Sequence, residues 1–543
     1  MSMTKPNTNP LVRVLPSLTD VAFLMPMVFL FLRMDGAPRL LEGDTGWHIR
    51  AGEWILENGR VPDKDIFSFT RPGEAWFAWE WLWDVAFAWL HRHGGLSAVV
   101  LASLLVLCVT FALLFRLVRR KCPNALIAIA VTLLAAAGSS MHWLARPHLF
   151  TLLLVVVFLS LLERAQDGRT RLLWVLPFLT ALWANLHGGF LAGIVLIGCY
   201  GAGELAAALV NSQAEERAAA RRRSAAYFLS AAGCAVASLA NPYSYRLHVH
   251  IWRYLADTES PFFRYVSEWQ SISFHHAAAR YFEVMILLAV AGAAWSLYQR
   301  SFGWPLLLAV WLHLALFSAR NIPIFLIVAA PVAAEALQQG LLRIRQASVA
   351  GWLERAAAAI ENLGREVAAV DRVPRLHLVS CAAAALLLAV CYSASAPPKF
   401  RSEYDSKAYP TMALDALQGG RVFAPDEWGD YLIYRLYPNT RVYVDGRFDF
   451  YGAPFTEEYL DVMNVKHGWD QHLRRYAIDT VLLPVDAPLA GALKEASAWR
   501  PVYDDGVAIV FRAAQTATSS IAATCSGRRD RMATPLRFKG ANL

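Results

Sequence analysis

From Leu18 to Cys391 the chain is a succession of apolar runs of membrane-span length, with most of its Lys and Arg in the gaps between them. A hydrocarbon core about 30 Å thick takes roughly 20 apolar residues at about 1.5 Å per helical residue. Such runs start near Leu18, Leu96, Asn124, Leu149, Leu172, Phe190, Ala225, Phe282, Trp304, Ile322 and Leu376, which predicts an α-helical polytopic membrane protein of about eleven spans. The 543 residues are 56% hydrophobic and 17% charged, with a mean hydropathy of +0.35, which excludes a soluble multidomain chain. The net charge of +8 needs no nucleic acid, because the basic residues sit where the positive-inside rule puts them. The seven Cys carry neither a C-x-x-C spacing nor a disulfide framework.

The basic clusters set the order of the spans. Arg116/Arg119/Arg120/Lys121, Arg164/Arg169/Arg171, Arg217/Arg221/Arg222/Arg223, Arg300 and Arg343/Arg345/Arg355/Arg365/Arg372/Arg375 fall between alternate pairs of spans, so all can be cytoplasmic together. That requires Trp79 to Arg92, which carries Glu80 and Asp84, to lie along the outer surface or to dip in and return rather than cross. Residues 1–17 are then a cytoplasmic N-terminus and 18–396 a transmembrane domain that includes a long outer loop, 35–94. Residues 397–513, with short alternating runs at Arg421-Val-Phe-Ala, Arg441-Val-Tyr-Val, Thr480-Val-Leu-Leu and Val507-Ala-Ile-Val, read as a small C-terminal α/β extracytoplasmic domain, and 514–543 as a disordered tail.

The most informative segment is the first outer loop, Glu42-Gly-Asp44-Thr-Gly-Trp47-His48-Ile-Arg50-Ala-Gly-Glu53-Trp54-Ile-Leu-Glu57-Asn-Gly59. Trp47, Ala51, Trp54 and Ile55 recur at helical spacing, which predicts an interfacial amphipathic helix stopped at Gly59. Asp44 at its start reads either as an N-cap, contributing about 1 kcal/mol, or as a general base on an incoming hydroxyl or amine. Farther along, Trp76, Trp79, Trp81 and Trp83 surround Glu80 and Asp84, a pattern that suits both a membrane-interface belt and a sugar-stacking wall.

With one span, then a long outer loop opening on an acid, then many spans and an outer C-terminal domain, the chain resembles the GT-C superfamily of membrane glycosyltransferases. That group includes protein O-mannosyltransferases, aminoarabinose transferases and oligosaccharyltransferase catalytic subunits. The segment from Asp44 to Gly59, followed by Val61-Pro-Asp-Lys-Asp-Ile-Phe-Ser and by Glu80-Trp-Leu, looks like a signature of an uncharacterised bacterial subgroup. The resemblance implies a bacterial inner-membrane enzyme that uses a polyprenyl-phosphate-linked sugar donor, with Asp44 in the position of the catalytic base and single inversion at the anomeric carbon. The chain departs from oligosaccharyltransferases in its second outer loop, His142-Trp-Leu-Ala-Arg146-Pro-His148, which lacks an Asp-x-Asp or Glu-x-Asp pair. Metal dependence of their type is therefore open.

Other residues complete the candidate site. Arg146, and Arg320 followed by Asn321 at the outer end of a later span, suit a lipid phosphate. A headgroup or helix-end carbonyl is the plainer partner for each. His48, His142, His148, His187, His248, His250, His275 and His276 gather on the outer side and with Asp44 and Glu80 leave room for a divalent metal, Mg or Mn, although interface hydrogen bonding explains them more simply. The polar turn Asn185-Leu-His187-Gly-Gly interrupts an apolar stretch, which suits a cleft floor. In the C-terminal domain, Asp426-Glu427-Trp428-Gly429-Asp430-Tyr431 and Val444-Asp445-Gly446-Arg447-Phe448-Asp449 read as turn signals or as acceptor-recognising acids. The expected partners are the sugar donor, a lipid, glycan or protein acceptor, and membrane lipid, with no nucleic acid. Two rival readings are a lipid-linked-glycan flippase, which calls for charges at mid-membrane depth, and a non-catalytic scaffold of the same fold.

Overall fold

The computed structural model describes residues 10–256, 266–346, 351–417 and 420–514. The expected tail from residue 514 onward lies, but for Ala514, outside the described residues. Each of the eleven apolar runs is helical. In chain order the helices up to residue 396 are α1 (Leu18–Arg33), α2 (Gly43–Asn58), α3 (Trp81–Lys121), α4 (Ala125–Ser139), α5 (His148–Gln166), α6 (Leu176–Leu186), α7 (Phe190–Val210), α8 (Ala214–Ala237), α9 (Tyr245–Ala256), α10 (Ala279–Tyr298), α11 (Gly303–Phe317), α12 (Ile322–Gln346), α13 (Gly351–Ala368) and α14 (Leu378–Cys391).

Among the described residues, seven helical stretches are long and apolar enough to cross a membrane, and those containing α6, α11 and α14 are shorter apolar helices. The run from Ala225 is the second half of α8, whose first half carries Arg217, Arg221, Arg222 and Arg223. In α3, Gly95 adopts φ 62° and ψ −163° and separates a surface segment, with Trp89 half exposed, from the buried run beyond it. A left-handed break of this kind suits a residue without Cβ, and it bends the chain within α3.

Local chemistry marks the helix ends. Ser17 Oγ accepts the Asp20 N–H at 3.0 Å while Asp20 Oδ2 accepts the Ser17 N–H at 2.8 Å, a reciprocal cap for α1. Asn124 Oδ1 accepts from the Leu126 and Ile127 amides at 3.0 and 3.2 Å and starts α4. Between spans, lipid is as apolar as leucine, so packing rather than water exclusion drives association. Small residues permit it: a Cβ on Gly203 would lie 2.4 Å from the Gly303 nitrogen, so α7 and α11 meet backbone to backbone.

Ion pairs tie basic residues to acids of neighbouring helices. Lys121 reaches Glu163 at 3.1 Å and Glu335 at 3.6 Å, Arg120 pairs with Asp167, and Arg223 Nη2 lies 2.8 Å from Glu204. Other loops converge against the C-terminal region.

That region holds α15 (Asp426–Leu436), α16 (Phe448–Met463), α17 (Trp469–Arg475) and α18 (Pro488–Glu495), with a four-stranded sheet of β1 (Val422–Phe423), β2 (Thr480–Pro484), β3 (Trp499–Asp504) and β4 (Ala508–Ala513) in the order β1-β2-β4-β3. β1 runs parallel to β2, and the other pairs are antiparallel. Three expected strands are present. The fourth, from Arg441, makes only isolated bridges, Val442 to Val422 and to Ser68 of the first loop. β3 was not expected: it carries Pro501 and lies at the sheet edge with little burial, so no inward alternation betrays it.

Candidate active site

α2 carries the site. Its N-cap is Glu42, without a side-chain cap bond, so Asp44 is a first-turn residue and the N-cap reading of Asp44 does not hold. Gly59 adopts φ 65° and stops the helix where the sequence placed its end. Two faces of α2 are pinned by close approach. A Cβ on Gly52 would fall 1.9 Å from the Asp84 carbonyl oxygen of α3, and Cβ atoms on Gly43 and Gly46 would fall 2.7 Å from the Glu427 carbonyl oxygen and from Tyr434 Cβ of α15. The helix is thus clamped between the membrane bundle and the C-terminal domain.

Arg146 is the centre of charge. The loop carrying it is tied to the first outer loop by Ala145 N–H donating to the Leu40 carbonyl at 2.7 Å and by Thr45 Oγ1 donating to the Ala145 carbonyl at 3.2 Å. Its guanidinium places Nη2 2.5 Å from Asp44 Oδ2, Nε 3.0 Å from Glu42 Oε1 and Nη1 3.7 Å from Glu268 Oε2. Trp47 Nε1 donates to the other Asp44 oxygen at 3.1 Å. Glu268 also faces Arg320 Nη1 at 3.6 Å and His142 Nε2 at 3.5 Å, and the Arg320 guanidinium lies 4.1 Å from the Trp269 ring centroid. Burial raises the affinity of Glu268 for a proton, but Arg320 and Arg146 outweigh it and hold the carboxyl down at about 2.

Beside this cluster, Glu80 sits between two imidazoles, 3.4 Å from His48 Nε2 and 3.4 Å from His187 Nε2. The partners set the tautomers. Gly189 N–H donates to His187 Nδ1 at 3.0 Å, and Trp183 Nε1 donates at 2.9 Å to Thr151 Oγ1, which lies 2.8 Å from the same nitrogen. His187 therefore presents Nε2–H to Glu80, while His48 Nδ1 bonds Asp84 Oδ1 at 2.6 Å. Burial, Arg320 and Arg146 push His187 down to about 3, and burial with Arg146 and His187 holds His48 well below its ordinary value. Burial pushes Glu80 up to about 8 against the pull of Arg146. A protonated Glu80 between two neutral imidazoles is the self-consistent arrangement near neutral pH.

These groups line one cavity of about 1140 Å³ where the loops meet the C-terminal domain, larger than the few hundred to about 1,000 Å³ of a small-molecule pocket. Asp44, His48, Glu80, Arg146, His148, His187, Arg320 and Asn321 all line it, as do Trp47, Trp76 and Trp79. Two expected site residues do not. Asp84 is 1% exposed behind His48, and Asn185 Oδ1 accepts from Trp81 Nε1 at 2.8 Å while its Nδ2 donates to the Ala240 carbonyl at 2.7 Å, so it anchors the turn. His250 pairs with Asp449 at 3.0 Å and His248 with Ser238 at 2.8 Å.

Sequence reasoning missed Glu268, whose only signal is an acid next to a tryptophan, the pattern noticed at Trp79-Glu80. It treated the C-terminal acids as a separate cluster, yet Asp426, Glu427, Asp430, Gly446 and Asp449 form a wall of the same cavity. A Cβ on Gly446 would lie 2.3 Å from Asp44 Oδ1 and 2.9 Å from Asp430 Oδ2, so both carboxyls close around the absent side chain. Gly446 N–H donates to Asp430 Oδ1 at 2.9 Å, and burial with the Asp44 charge pushes Asp430 well up. Arg447, 2% exposed, bonds Asp445 and, at 2.7 Å, Asp65 of the first loop, which joins the domain to the membrane part.

Three carboxylates, Glu42, Asp44 and Glu268, converge on a guanidinium, and among the described residues no three His, Cys, Asp or Glu side chains are grouped to hold an ion.

No family model and no curated protein matches the chain. Among solved structures, the oligosaccharyltransferase of Archaeoglobus fulgidus tethered with an acceptor peptide containing the NVT sequon is similar over 92% of this chain and 74% of that one, at 11% identity and a TM-score of 0.53. The archaeal oligosaccharyltransferase AglB from Archaeoglobus fulgidus in complex with an inhibitory peptide and a dolichol-phosphate is similar over the same shares at 12% identity and 0.51. The Archaeoglobus fulgidus enzyme complexed with Zn and sulfate is similar over 92% and 73%, at 12% identity and 0.50. A bundle of apolar helices, a first loop that opens on a clamped helix with an acid in its first turn, and a C-terminal domain closing the cavity give this chain the fold of the archaeal oligosaccharyltransferase.

Proposed function

We infer that the protein is a membrane glycosyltransferase that moves a sugar from a polyprenyl-phosphate-linked donor to an acceptor on the extracytoplasmic face of the bacterial inner membrane. The observation that carries the reading is the contact of Asp44 and Arg146 inside a cavity that opens among the ends of apolar helices. The dolichol-phosphate bound by AglB supports a lipid-phosphate donor.

In this reading Asp44 takes the proton of the acceptor hydroxyl or amine as its oxygen or nitrogen attacks the anomeric carbon. The bond from that carbon to the phosphate oxygen breaks, and the configuration inverts. Arg146 and Arg320 hold the departing phosphate, whose charge they meet as bidentate donors. Because phosphate leaves as a stabilised anion, no second carboxyl need act as an acid. Trp47, Trp76 and Trp79 provide ring faces for the sugar, with protonated Glu80 and His187 as hydrogen-bonding groups beside them.

The test is turnover in proteoliposomes. Native protein releases sugar from a radiolabelled polyprenyl-phosphate donor, and Asp44→Asn, folded by thermal unfolding, loses about 100-fold or more. Full activity of Asp44→Asn would remove it from the role of base. Lipid-phosphate binding without turnover by native protein on any common donor would favour a flippase or scaffold.

A further inference from the structure

Glu268 makes three contacts that are all too long for good hydrogen bonds, 3.5 Å to His142, 3.6 Å to Arg320 and 3.7 Å to Arg146. Its carboxylate lies among three cation or N–H groups that hold it at arm's length, as an anion in a basket larger than itself. The basket is rigid: the Arg146 loop is bonded to the first outer loop, and Arg320 lies on a short turn, Ala319–Asn321, between α11 and α12. Glu268, in contrast, lies on a single helical turn, Ser267–Trp269, with no buried residue. Its backbone is fastened by Ser318 Oγ donating to the Glu268 carbonyl at 2.9 Å and by Ala319 N–H donating to the Gln270 carbonyl at 2.9 Å, so a displacement of the carboxylate has to come from the side chain.

Charge arithmetic sharpens this. Asp44 and Glu268 put two carboxylates against the two guanidiniums of Arg146 and Arg320, while burial pushes the Glu42 carboxyl beside them up to about 8. A phosphate ester added to that set would carry the cluster negative in a partly buried cavity, where like charges repel by several kcal/mol at about 4 Å for an effective dielectric near 20. A phosphate that replaces Glu268 keeps the balance and, with oxygens on a tetrahedral centre, spans the basket better than a planar carboxylate.

We propose that Glu268 is a built-in stand-in for the donor phosphate, occupying the anion position between Arg146 and Arg320 until a phosphate ester enters and swings it out. The assignment rests on the reading of those two arginines as the phosphate site. It also gives Glu268 a use after exchange, since the displaced carboxylate stays within the cavity as an unpaired acid that favours release of the spent phosphate.

The experiment measures binding of undecaprenyl phosphate to the full-length protein in nanodiscs, for native, Glu268→Gln, Glu268→Ala and Arg320→Ala. The expected result is about tenfold tighter binding by both Glu268 variants and weaker binding by Arg320→Ala. Equal or weaker binding by the Glu268 variants, with Arg320→Ala still weakened, overturns the exchange and leaves the phosphate site standing. Unchanged binding by all three overturns both. Should those variants fail to fold, Glu268→Asp, which keeps the charge on a shorter stem, decides: tighter binding of undecaprenyl phosphate than by native protein supports the exchange, and equal or weaker binding counts against it.

Discussion

Arg146 Nη2 lies 2.5 Å from Asp44 Oδ2 while its Nε lies 3.0 Å from Glu42 Oε1, so one guanidinium spans two acids that flank the start of a single helix. The pairing joins the second outer loop to the first. Removing the cation leaves two carboxyls facing each other in a cavity. Arg146→Ala is expected to lower unfolding stability by about 3 kcal/mol and to abolish turnover. Arg146→Lys is expected to recover much of the stability but little turnover, because an ammonium cannot meet two acids and a phosphate in a fixed fork. Chemical denaturation beside the proteoliposome assay separates the two effects, and a Lys variant with native turnover would reduce Arg146 to a point charge.

Two buried carboxyls, Glu80 and Glu42, are pushed up to about 8 and shape the pH dependence of stability together. For Glu80 the folded value of about 8 stands above an ordinary value of 4.5, so the folded state binds the extra proton between those limits. The stabilisation is fully present below pH 4.5 and is lost as pH rises through 8. His187, held at about 3 against an ordinary 6.5, acts in the opposite sense but only below 6.5. Between pH 6.5 and 8 the carboxyl acts without that opposition, and the slope it contributes is about 1.4 kcal/mol per pH unit. Unfolding midpoints should therefore fall from pH 6.5 to 8, and Glu80→Gln should make the decline shallower while the share of Glu42 remains. A variant with the native slope would show that the proton is held elsewhere.

Gly446 tests the wall that the C-terminal domain presents to Asp44. The Cβ of Gly446→Ala would collide with Asp44 Oδ1 at 2.3 Å, whereas Gly491 in α18 has nothing within 4 Å of its Cβ position. Displacing a reacting group by about 1 Å costs on the order of 100-fold in rate. Gly446→Ala is expected to lose about that much turnover, with Gly491→Ala as the active control. Native kinetics in Gly446→Ala would mean that Asp44 is free to step aside without consequence.

Because Glu42, Asp44 and Glu268 are all met by Arg146, chelation of divalent ions by EDTA should leave transfer unaffected. The check is donor turnover before and after dialysis against chelator, with Mg or Mn added back. Loss on chelation and recovery on re-addition would require the acids to leave Arg146 for a metal.

Much of this architecture was legible in the sequence for one reason: lipid forces every spanning segment to be continuous, apolar and helical, so hydropathy alone locates it. The end of α2 at Gly59 was equally plain. Local sequence could not reveal which outer residues would meet. Glu268 and Arg146 are 122 positions apart, and nothing near either names the other. The same limit hid the approach of Gly446 to Asp44, since Asp-Gly after an extended run reads as a turn whatever faces it. Asp84 misled in the opposite direction, because its neighbourhood of tryptophans looks like a wall of the cavity although His48 stands in front of it.

The clamped position of α2 bears on how this protein can change over time. Gly52 gives way to the membrane bundle, and Gly43 and Gly46 to the C-terminal domain, along one helix that also carries Asp44 and His48. Neither half can drift in shape without the other, because a side chain gained on either flank would be felt at the acid. The C-terminal domain is thus no cargo that could be exchanged for another between lineages. Changes that spare the clamp have to fall away from these three contacts, while the helix between the two halves stays small-faced.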